Sequence, residues 1–256
     1  MTKAIILAAG QGTRLHPYTK NLPKCMVEIG GKPLVQYQID VLRNAGIQDI
    51  NFVGGYMIER LKSFNIPIYE NRFFDSTNML FSLFCAKELF NHKEDLIISY
   101  GDIVYSPEIL EQLIESTLPI SVVVDDNWKE YWESRFENVL DDAESLILKN
   151  GDEIVEIGSR VTNVSQIQGQ YIGLIKLSGI GRDKFLQNYE LSKSMLVNGK
   201  EISNAYMTDF LQELINRGEK VNAIKTNAPW IEIDNCTDLE SVSTHERFIK
   251  LKESNV

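Results

Sequence analysis

The chain has 256 residues, of which 43% are apolar and 24% charged, a balance typical of a globular protein that buries a substantial core. Its net charge of −10 argues against nucleic-acid binding, because no basic face is available to neutralise many phosphates. No apolar run approaches membrane-spanning length, and a predicted strand begins within three residues of the N-terminus, so we expect neither a membrane segment nor a signal peptide. The three cysteines are far apart and fit reduced thiols of a cytoplasmic protein.

The first segment combines an apolar run with a glycine loop. Residues 4–7 predict a strand buried on both faces. Gly10 and Gly12 follow, and their small size lets the backbone approach a bulky ligand with its amides turned towards phosphate. Arg14 and Lys24 add positive charge within reach of the same place. We therefore predict a triphosphate-binding loop. Leu15 stands where a dinucleotide fingerprint has its third glycine, and the P-loop motif is absent from the sequence.

Strands and helices alternate through the first half of the chain. The predicted helices span residues 33–44, 57–64, 79–86 and 107–116, and the predicted strands span 49–53, 66–70, 96–100 and 120–124. Any of the four residues 75–78 has a side-chain oxygen suited to cap the helix that follows. This alternation predicts parallel βαβ units and an α/β sheet covered by helices.

The amino-acid composition changes at the beginning of the second half. Residues 127–135 carry two tryptophans and a tyrosine, and Asn150-Gly151 between two short apolar runs predicts a hairpin. Further strands are predicted at 171–177, 221–225 and 230–234, and helices at 209–217 and 238–252. We expect one α/β domain over residues 1–256, with a small aromatic-rich insertion at about 125–165.

Two aspartates each follow a buried strand. Asp102 and Asp234 end predicted strands, and open α/β sheets present their ligands at such carboxyl ends. Two carboxylates from separate strands suit a hard divalent metal and leave positions for water and phosphate. Aspartate after a strand is also a common turn former, so neither residue alone decides between the two interpretations. Glu232 is a possible accessory carboxylate if the strand alternates regularly.

Other residues are candidates for the walls of substrate pockets. Residues 54–56 and the pair Thr77-Asn78 suit base and ribose recognition. Aromatic faces can enclose an ammonium group, with Asp126 or Asp209 as counter-charge and Arg135 for a phosphate, although aromatic residues are also common in cores. The aromatic candidates are Trp128, Tyr131, Trp132, Tyr171, Tyr206 and Trp230. His16, His92 and His245 show no pairing with a nucleophile, so the sequence gives no support to acyl transfer.

The N-terminal motif carries a family resemblance. Residues 7–15, Leu-Ala-Ala-Gly-x-Gly-Thr-Arg-Leu, followed by Pro23 and Lys24, resemble the signature of the nucleotidyltransferases that make NDP-sugars and CDP-alcohols. The resemblance extends over most of the chain, and residues 75–86, 125–145 and 230–234 are most similar to the cytidylyltransferases that act on phosphocholine and related phosphates or phosphonates. It implies a Rossmann-like, mostly parallel sheet flanked by helices. It also implies a nucleoside triphosphate, a phosphorylated acceptor, Mg²⁺ and pyrophosphate as the leaving group.

The resemblance also gives roles to individual residues. It implies that Arg14 contacts the β- and γ-phosphates, that Lys24 reaches the α-phosphate or the acceptor, and that Asp102 and Asp234 hold Mg²⁺. The predicted nucleotide-binding residues are Leu7, Ala8, Ala9, Gly10, Gly12, Thr13, Gly55, Tyr56, Thr77, Asn78 and Gly101. The predicted acceptor-binding residues are Trp128, Trp132, Arg135, Tyr171, Asp209 and Trp230.

Three functions remain open from the sequence. The leading hypothesis is a cytidylyltransferase that joins CMP to phosphocholine, phosphoethanolamine, 2-aminoethylphosphonate or a phosphoglutamine-type acceptor; its preference for CTP rests on the resemblance. The second is a sugar-1-phosphate nucleotidyltransferase using UTP, GTP or dTTP. The third is a nucleotide-binding module without activity, which an intact set of cationic and acidic residues makes a poor fit. An edge strand or the insertion could also pair two subunits in a homo-oligomer.

Overall fold

A nine-stranded sheet forms the centre of the molecule. The computed structural model describes residues 2–91 and 93–254, so that His92 lies outside the described residues. The strands, numbered β1–β9 in chain order, are Lys3–Ala8, Asp49–Gly54, Ile68–Glu70, Leu96–Tyr100, Ile120–Asp125, Glu144–Lys149, Glu153–Arg160, Gln170–Leu177 and Val221–Thr226. Their order across the sheet is β3-β2-β1-β4-β8-β5-β9-β7-β6. Strands β7 and β8 run against the other seven, which confirms the prediction of a mostly parallel sheet.

Helices cover both faces of this sheet. Helices α1–α8 are Leu34–Asn44, Met79–Cys85, Pro107–Glu115, Trp128–Arg135, Gly179–Ser192, Met207–Asn216, Cys236–Ser241 and Glu246–Glu253. Consecutive residues of β1 point to opposite faces, and Ile5 and Ile6 accordingly belong to two separate apolar clusters. One cluster includes side chains of α1, α3, α4 and α8, and the other includes side chains of α2, α5 and α6. None of the helices described is long and apolar enough to cross a membrane.

The predicted elements agree with the structure except near the C-terminus, at residues 58–64 and in two helices, α4 and α5, that were not predicted. The helix predicted at 238–252 is two helices, α7 and α8, separated by the 3₁₀ turn Val242–Thr244. The second helix starts afresh because the His245 side chain accepts a hydrogen bond from the Arg247 amide and caps it. Helix α5 has no regular apolar stripe and contains two glycines in its first turn, which is why periodicity did not reveal it. Residues 58–64 form a 3₁₀ helix where a short helix was predicted.

The region of the expected insertion adds to the main sheet. The predicted hairpin is confirmed: β6 and β7 pair antiparallel around Asn150 and Gly151, which have φ of 55° and 98°. The hairpin forms one edge of the nine-stranded sheet, and α4 precedes it in the chain.

A short antiparallel pair outside the sheet fixes the distance between the two predicted metal-binding aspartates. Ile103–Tyr105 pairs with Trp230–Glu232, and the amide of Ile233 donates to the carbonyl of Asp102 at 3.0 Å. Segments more than 120 residues apart in sequence are thereby held side by side. Two further two-stranded pairs join Glu28–Ile29 to Lys32–Pro33 and Leu196–Val197 to Lys200–Glu201.

Candidate active site

The loop after β1 is shaped by Gly12. Its φ of 67° lies in the left-handed region, and a Cβ at this position would lie 2.9 Å from Cβ of Lys24. The carbonyl of Gly12 accepts hydrogen bonds from Thr19 Oγ1 at 2.6 Å and from the Leu15 amide at 2.9 Å. These bonds fix the turn that brings Arg14 and Lys24 to the carboxyl end of the sheet.

Three carboxylates converge beside this loop. Asp102, Glu232 and Asp234 each place a carboxylate oxygen within 4.8 Å of the others. Lys24 Nζ lies 2.6 Å from Asp102 Oδ2 and 2.6 Å from Asp234 Oδ1, and Arg14 forms an ion pair with the other oxygen of Asp234. The structure therefore brings together both predicted catalytic cations and both predicted metal ligands, with Glu232 as a third carboxylate.

The pKa values of Lys24 and Glu232 depend on both burial and the neighbouring charges. Burial alone lowers the pKa of Lys24, but the carboxylates of Asp102, Asp234 and Glu232 outweigh it and hold that pKa above its ordinary value. Lys24 is consequently a fixed positive charge at neutral pH. Burial raises the pKa of Glu232, and the neighbouring aspartates act in the same direction against Arg135 and Lys24.

The donor set fits a divalent cation. Asp102 Oδ1 is buried and has no hydrogen-bond partner among the described residues, so one acceptor of the cluster is left unsatisfied. Carboxylate oxygens from two chain segments are the ligands that hard divalent ions prefer. Asp102 and Asp234 are therefore the residues that would hold such an ion, with Glu232 beside them.

A cleft extends from the cluster along the end of β1. Of the predicted nucleotide-binding residues, it is lined by Leu7, Ala8, Ala9, Gly10, Thr77, Asn78 and Gly101, and Lys24 and Asp102 also line it. The remaining lining residues, which the sequence did not single out, are Cys25, Phe74, Met79, Ser82 and Tyr100. A Cβ at Gly101 would lie 2.5 Å from the carbonyl oxygen of Leu7, so a glycine is needed where these two strands end.

Thr77 and Asn78 combine a capping role with a place in this cleft. Asn78 caps α2, because its side chain accepts a hydrogen bond from the Met79 amide at 2.8 Å. Thr77 Oγ1 donates to the carbonyl of Phe73 at 2.6 Å. The cap and the predicted nucleotide contact are thus compatible interpretations of the same residues.

Four other predicted nucleotide residues, and Arg14, lie outside the lining. Gly55 supports the cleft from behind, since a Cβ there would lie 2.6 Å from Phe74 Cβ, and the Tyr56 amide donates to the Ala9 carbonyl at 3.1 Å. Gly12 and Thr13 belong to the turn beside the cleft. The Arg14 side chain is 67% exposed.

A second cleft adjoins the first near the carboxylate cluster. It shares Met79 and Tyr100 with the first cleft and reaches the cluster through Glu232. Its lining residues are Met79, Tyr100, Trp132, Asp142, Glu144, Gln170, Tyr171, Ile172, Gly173, Tyr206, Thr208, Trp230 and Glu232. Two substrates placed in the two clefts would meet beside Lys24 and the aspartates.

Three of the six predicted acceptor residues, Trp132, Tyr171 and Trp230, line this second cleft. Trp128 is buried behind it, with its ring centroid 6.2 Å from that of Trp132. Asp209 is also buried; it accepts hydrogen bonds from the Tyr206 amide at 2.8 Å and from Lys200 Nζ at 2.6 Å, which caps α6. Trp128 and Asp209 therefore lie behind the wall of the second cleft and do not line it.

The position of Arg135 contradicts the prediction that this residue binds the acceptor's phosphate. Its side chain is 4% exposed, and its guanidinium donates to both carboxylate oxygens of Asp238 at 3.0 Å and to Glu232 Oε2 at 2.9 Å. Asp238 Oδ2 in turn accepts from the Asp234 amide at 2.9 Å. Arg135 thus holds the carboxylates that surround the cluster and has no free edge for a ligand.

Four hydrogen bonds anchor the wall of the second cleft. The Tyr131 hydroxyl accepts from the Glu232 amide at 2.9 Å and lies 3.3 Å from the Glu232 carbonyl, to which it donates. Trp230 Nε1 donates to Asp125 Oδ2 at 2.8 Å, and Arg247 also donates to that oxygen at 2.6 Å. These contacts leave the ring of Trp230 as an apolar wall.

His245 has a serine neighbour that the sequence did not suggest. Its Nε2 lies 3.0 Å from Ser134 Oγ. His245 Nδ1 accepts from the Arg247 amide at 3.2 Å, so the proton of the neutral ring is on Nε2, and Ser134 Oγ donates to the Tyr131 carbonyl at 2.7 Å. The ring therefore donates to the serine and cannot act as its base in this arrangement.

Residues 4–138 match the family model of the MobA-like NTP transferase domain, which is more than half of the 256-residue chain. The chain belongs to this family. Its members are nucleotidyltransferases, which confirms the predicted enzyme class and fits a loop, two cations and two aspartates that converge between two clefts.

The chain is also similar to individual proteins with CTP-dependent activities in their names. The chain is 42% identical over 247 residues to the CTP:phosphoglutamine cytidylyltransferase of Campylobacter jejuni, covering 93% of this chain and 97% of that protein. It is 42% identical over 90 residues to the choline-phosphate cytidylyltransferase of Streptococcus pneumoniae, covering 34% of this chain and 39% of that one. The inositol-1-phosphate CTP transferase from T. maritima superposes with a TM-score of 0.74 at 25% identity, covering 99% of this chain and 97% of that structure.

Proposed function

We propose that the protein is a Mg²⁺-dependent cytidylyltransferase that transfers CMP from CTP to a small phosphorylated or phosphonate acceptor, foremost one of the phosphoglutamine type, and releases pyrophosphate. The observation that carries the proposal is that two adjoining clefts reach one charged cluster, the first through Lys24 and Asp102 and the second through Glu232. The 42% identity to a CTP:phosphoglutamine cytidylyltransferase over nearly the whole chain supports the choice of nucleotide and acceptor.

The reaction requires charge neutralisation more than acid–base catalysis. An oxygen of the acceptor's phosphate attacks the α-phosphorus of CTP, a new P–O bond forms, and the bond to the β-phosphate oxygen breaks as pyrophosphate leaves. Both partners are anions, so positioned positive charge lowers the barrier. Lys24 stays protonated between two carboxylates and supplies such a charge at the junction of the clefts.

Arg14 and the metal ligands complete this arrangement. The guanidinium of Arg14 is exposed and pairs with Asp234, so it lies beside the cluster, where it can contact the β- and γ-phosphates. Mg²⁺ held by Asp102 and Asp234 would supply Lewis-acid stabilisation of phosphate oxygens. The aromatic and acidic lining of the second cleft suits a small amino acceptor better than a sugar phosphate.

We also propose that residues 1–256 act as one domain, in which the segment at about 125–165 contributes Trp132, Asp142 and Glu144 to the acceptor cleft. The three cysteines are unpaired thiols, which supports a cytoplasmic location.

The experiment is a pyrophosphate-release assay with purified protein, Mg²⁺ and each nucleoside triphosphate in turn, over the four candidate acceptors and a set of sugar 1-phosphates. We expect CTP with an amino acceptor to give the fastest release. Asp102→Asn should lower kcat by roughly 10²–10³-fold, whereas Asp152→Asn, at an exposed aspartate in the turn between β6 and β7, should remain near the wild-type rate. Faster release with UTP or dTTP and a sugar 1-phosphate, or no release with CTP, would overturn the proposal.

A further inference from the structure

Two carboxylates outside the central cluster also face the second cleft. Glu144 is the first residue of β6, and Asp142 lies two residues before it. The buried side chain of Gln170 holds the backbone of Glu144 at both ends: its Oε1 accepts from the Glu144 amide at 3.2 Å, and its Nε2 donates to the Glu144 carbonyl at 2.7 Å. Glu144 therefore has a fixed place in the wall of the cleft.

Nothing in the lining of this cleft neutralises these acids. None of the described residues that line it is a lysine, an arginine or a histidine, and Glu232 adds a third carboxylate. The pKa of Glu144 is raised to about 7, chiefly by burial and also by Asp209 and Asp142, while a hydrogen bond from Thr208 and the charge of Lys200 act in the opposite direction. Burial likewise raises the pKa of Asp142, against the charges of Arg135 and Arg14. These cations lie outside the lining, so the lining itself lacks a cation that a ligand could supply.

The same cleft also contains an unused hydrogen-bond donor. Trp132 is 4% exposed, and its Nε1 has no partner of good hydrogen-bond geometry among the described residues, although the carboxylate of Asp142 lies beside it. The hydroxyl of Tyr171 is buried and unpartnered in the same way. A ligand oxygen would satisfy these groups, since buried donors without partners are unfavourable.

We propose that Asp142 and Glu144 bind the primary ammonium group of the acceptor, and that Trp132 Nε1 donates to an oxygen of the same molecule. The proposal rests on the proposed function and names the part of the acceptor that this cleft selects. Carboxylates that line a cleft accept hydrogen bonds from N–H donors, which a primary ammonium has and a trimethylammonium lacks. A ligand with both an ammonium group and oxygen acceptors, as in a phosphorylated amino acid, satisfies both halves of the cleft.

The test compares acceptors that differ only in N-methylation. Phosphoethanolamine, phosphocholine and phosphoglutamine are assayed for pyrophosphate release at saturating CTP with the wild type, Glu144→Gln and Asp142→Asn. We expect a higher kcat/KM for the primary amines, and in each variant a KM for them raised by about tenfold or more, with the KM for CTP within twofold of wild type. Asp141→Asn is the matched control, because Asp141 is exposed and its carboxylate accepts only from Asn138 among the described residues.

The outcomes separate the two proposals. If the wild type turns over but prefers phosphocholine, or if both variants keep the wild-type KM for the primary amines, the ammonium subsite is wrong and the cytidylyltransferase stands. If no acceptor releases pyrophosphate, the proposed function fails, and calorimetric binding of phosphoglutamine to the wild type and to Glu144→Gln still decides the subsite. Equal binding to both proteins, or none to the wild type, would overturn it. A melting temperature raised by CTP in each variant shows that the variant is folded.

Discussion

Replacing Arg135 with methionine should destabilise the protein strongly, although Arg135 lies outside both clefts. Methionine keeps most of the aliphatic stem and removes the guanidinium, which donates three hydrogen bonds of 2.9–3.0 Å to Asp238 and Glu232. The arginine and Asp238 side chains are each 4% exposed. The variant therefore leaves one deeply buried and one partly buried carboxylate without their cation.

The size of the effect follows from that burial. Removing one partner of a buried ion pair costs about 3–5 kcal/mol, because the remaining charge is uncompensated. For a chain of this length each kcal/mol lowers the melting temperature by about 2–4 °C, so we expect a decrease of about 6–20 °C. Asp238 also accepts from the amides of Asp234 and Asn235, so the Mg²⁺ concentration for half-maximal activity should rise as Asp234 loses its support.

Urea unfolding followed by circular dichroism, with and without Mg²⁺, measures the loss of stability. Arg72→Met is the matched control, because that arginine is 78% exposed and pairs with the exposed Glu70; its change should stay within about 0.5 kcal/mol. A loss below about 1 kcal/mol for Arg135→Met would show that apolar packing replaces the ion pair, and the inferred support of Asp234 would be refuted.

Three further predictions follow from the site. Gly12→Ala forces a left-handed backbone and a contact with Lys24, so it should cost about 1–3 kcal/mol in a thermal melt and lower kcat as well; a wild-type kcat would contradict the role of this turn. Mg²⁺ at one hundred times its Kd should stabilise the wild type by about 2.7 kcal/mol and so raise its melting temperature. Calorimetry should find this gain lost in Asp102→Asn. The pKa of Glu144 rises from 4.5 to about 7 on folding, so its stabilising contribution is present below 4.5 and is lost as the pH rises through 7. Relative to Glu144→Gln, the wild type should lose about 2 kcal/mol between pH 5 and pH 8 in urea titrations, and a constant difference would contradict the burial of this carboxylate.

The local patterns of the sequence predict most of the fold, because each strand and helix has its own periodicity. The glycine loop and the strand-terminal Asp102 and Asp234 were also visible, since these residue types at these positions have a direct chemical meaning. Helix α5 was missed because burial of its residues does not follow one face.

Partners that are distant in sequence account for the remaining errors. In the sequence Arg135 has the pattern of an unpaired cation, because its partners Glu232 and Asp238 lie 97 and 103 residues further along the chain. The sequence suggests Asp209 as a counter-charge for the ligand, but its carboxylate caps α6 and pairs with Lys200. Phe74 and Met79 line the first cleft, and in the sequence they cannot be distinguished from core residues.

The tryptophans of this protein are gathered at one place. The chain has three, and the rings of Trp128 and Trp230 lie 6.2 and 6.3 Å from that of Trp132. Two of them line the second cleft, whereas the first cleft has phenylalanine and tyrosine in its walls. All of the intrinsic tryptophan fluorescence therefore originates beside the second cleft, so that the unlabelled chain carries its own optical reporter of what binds there.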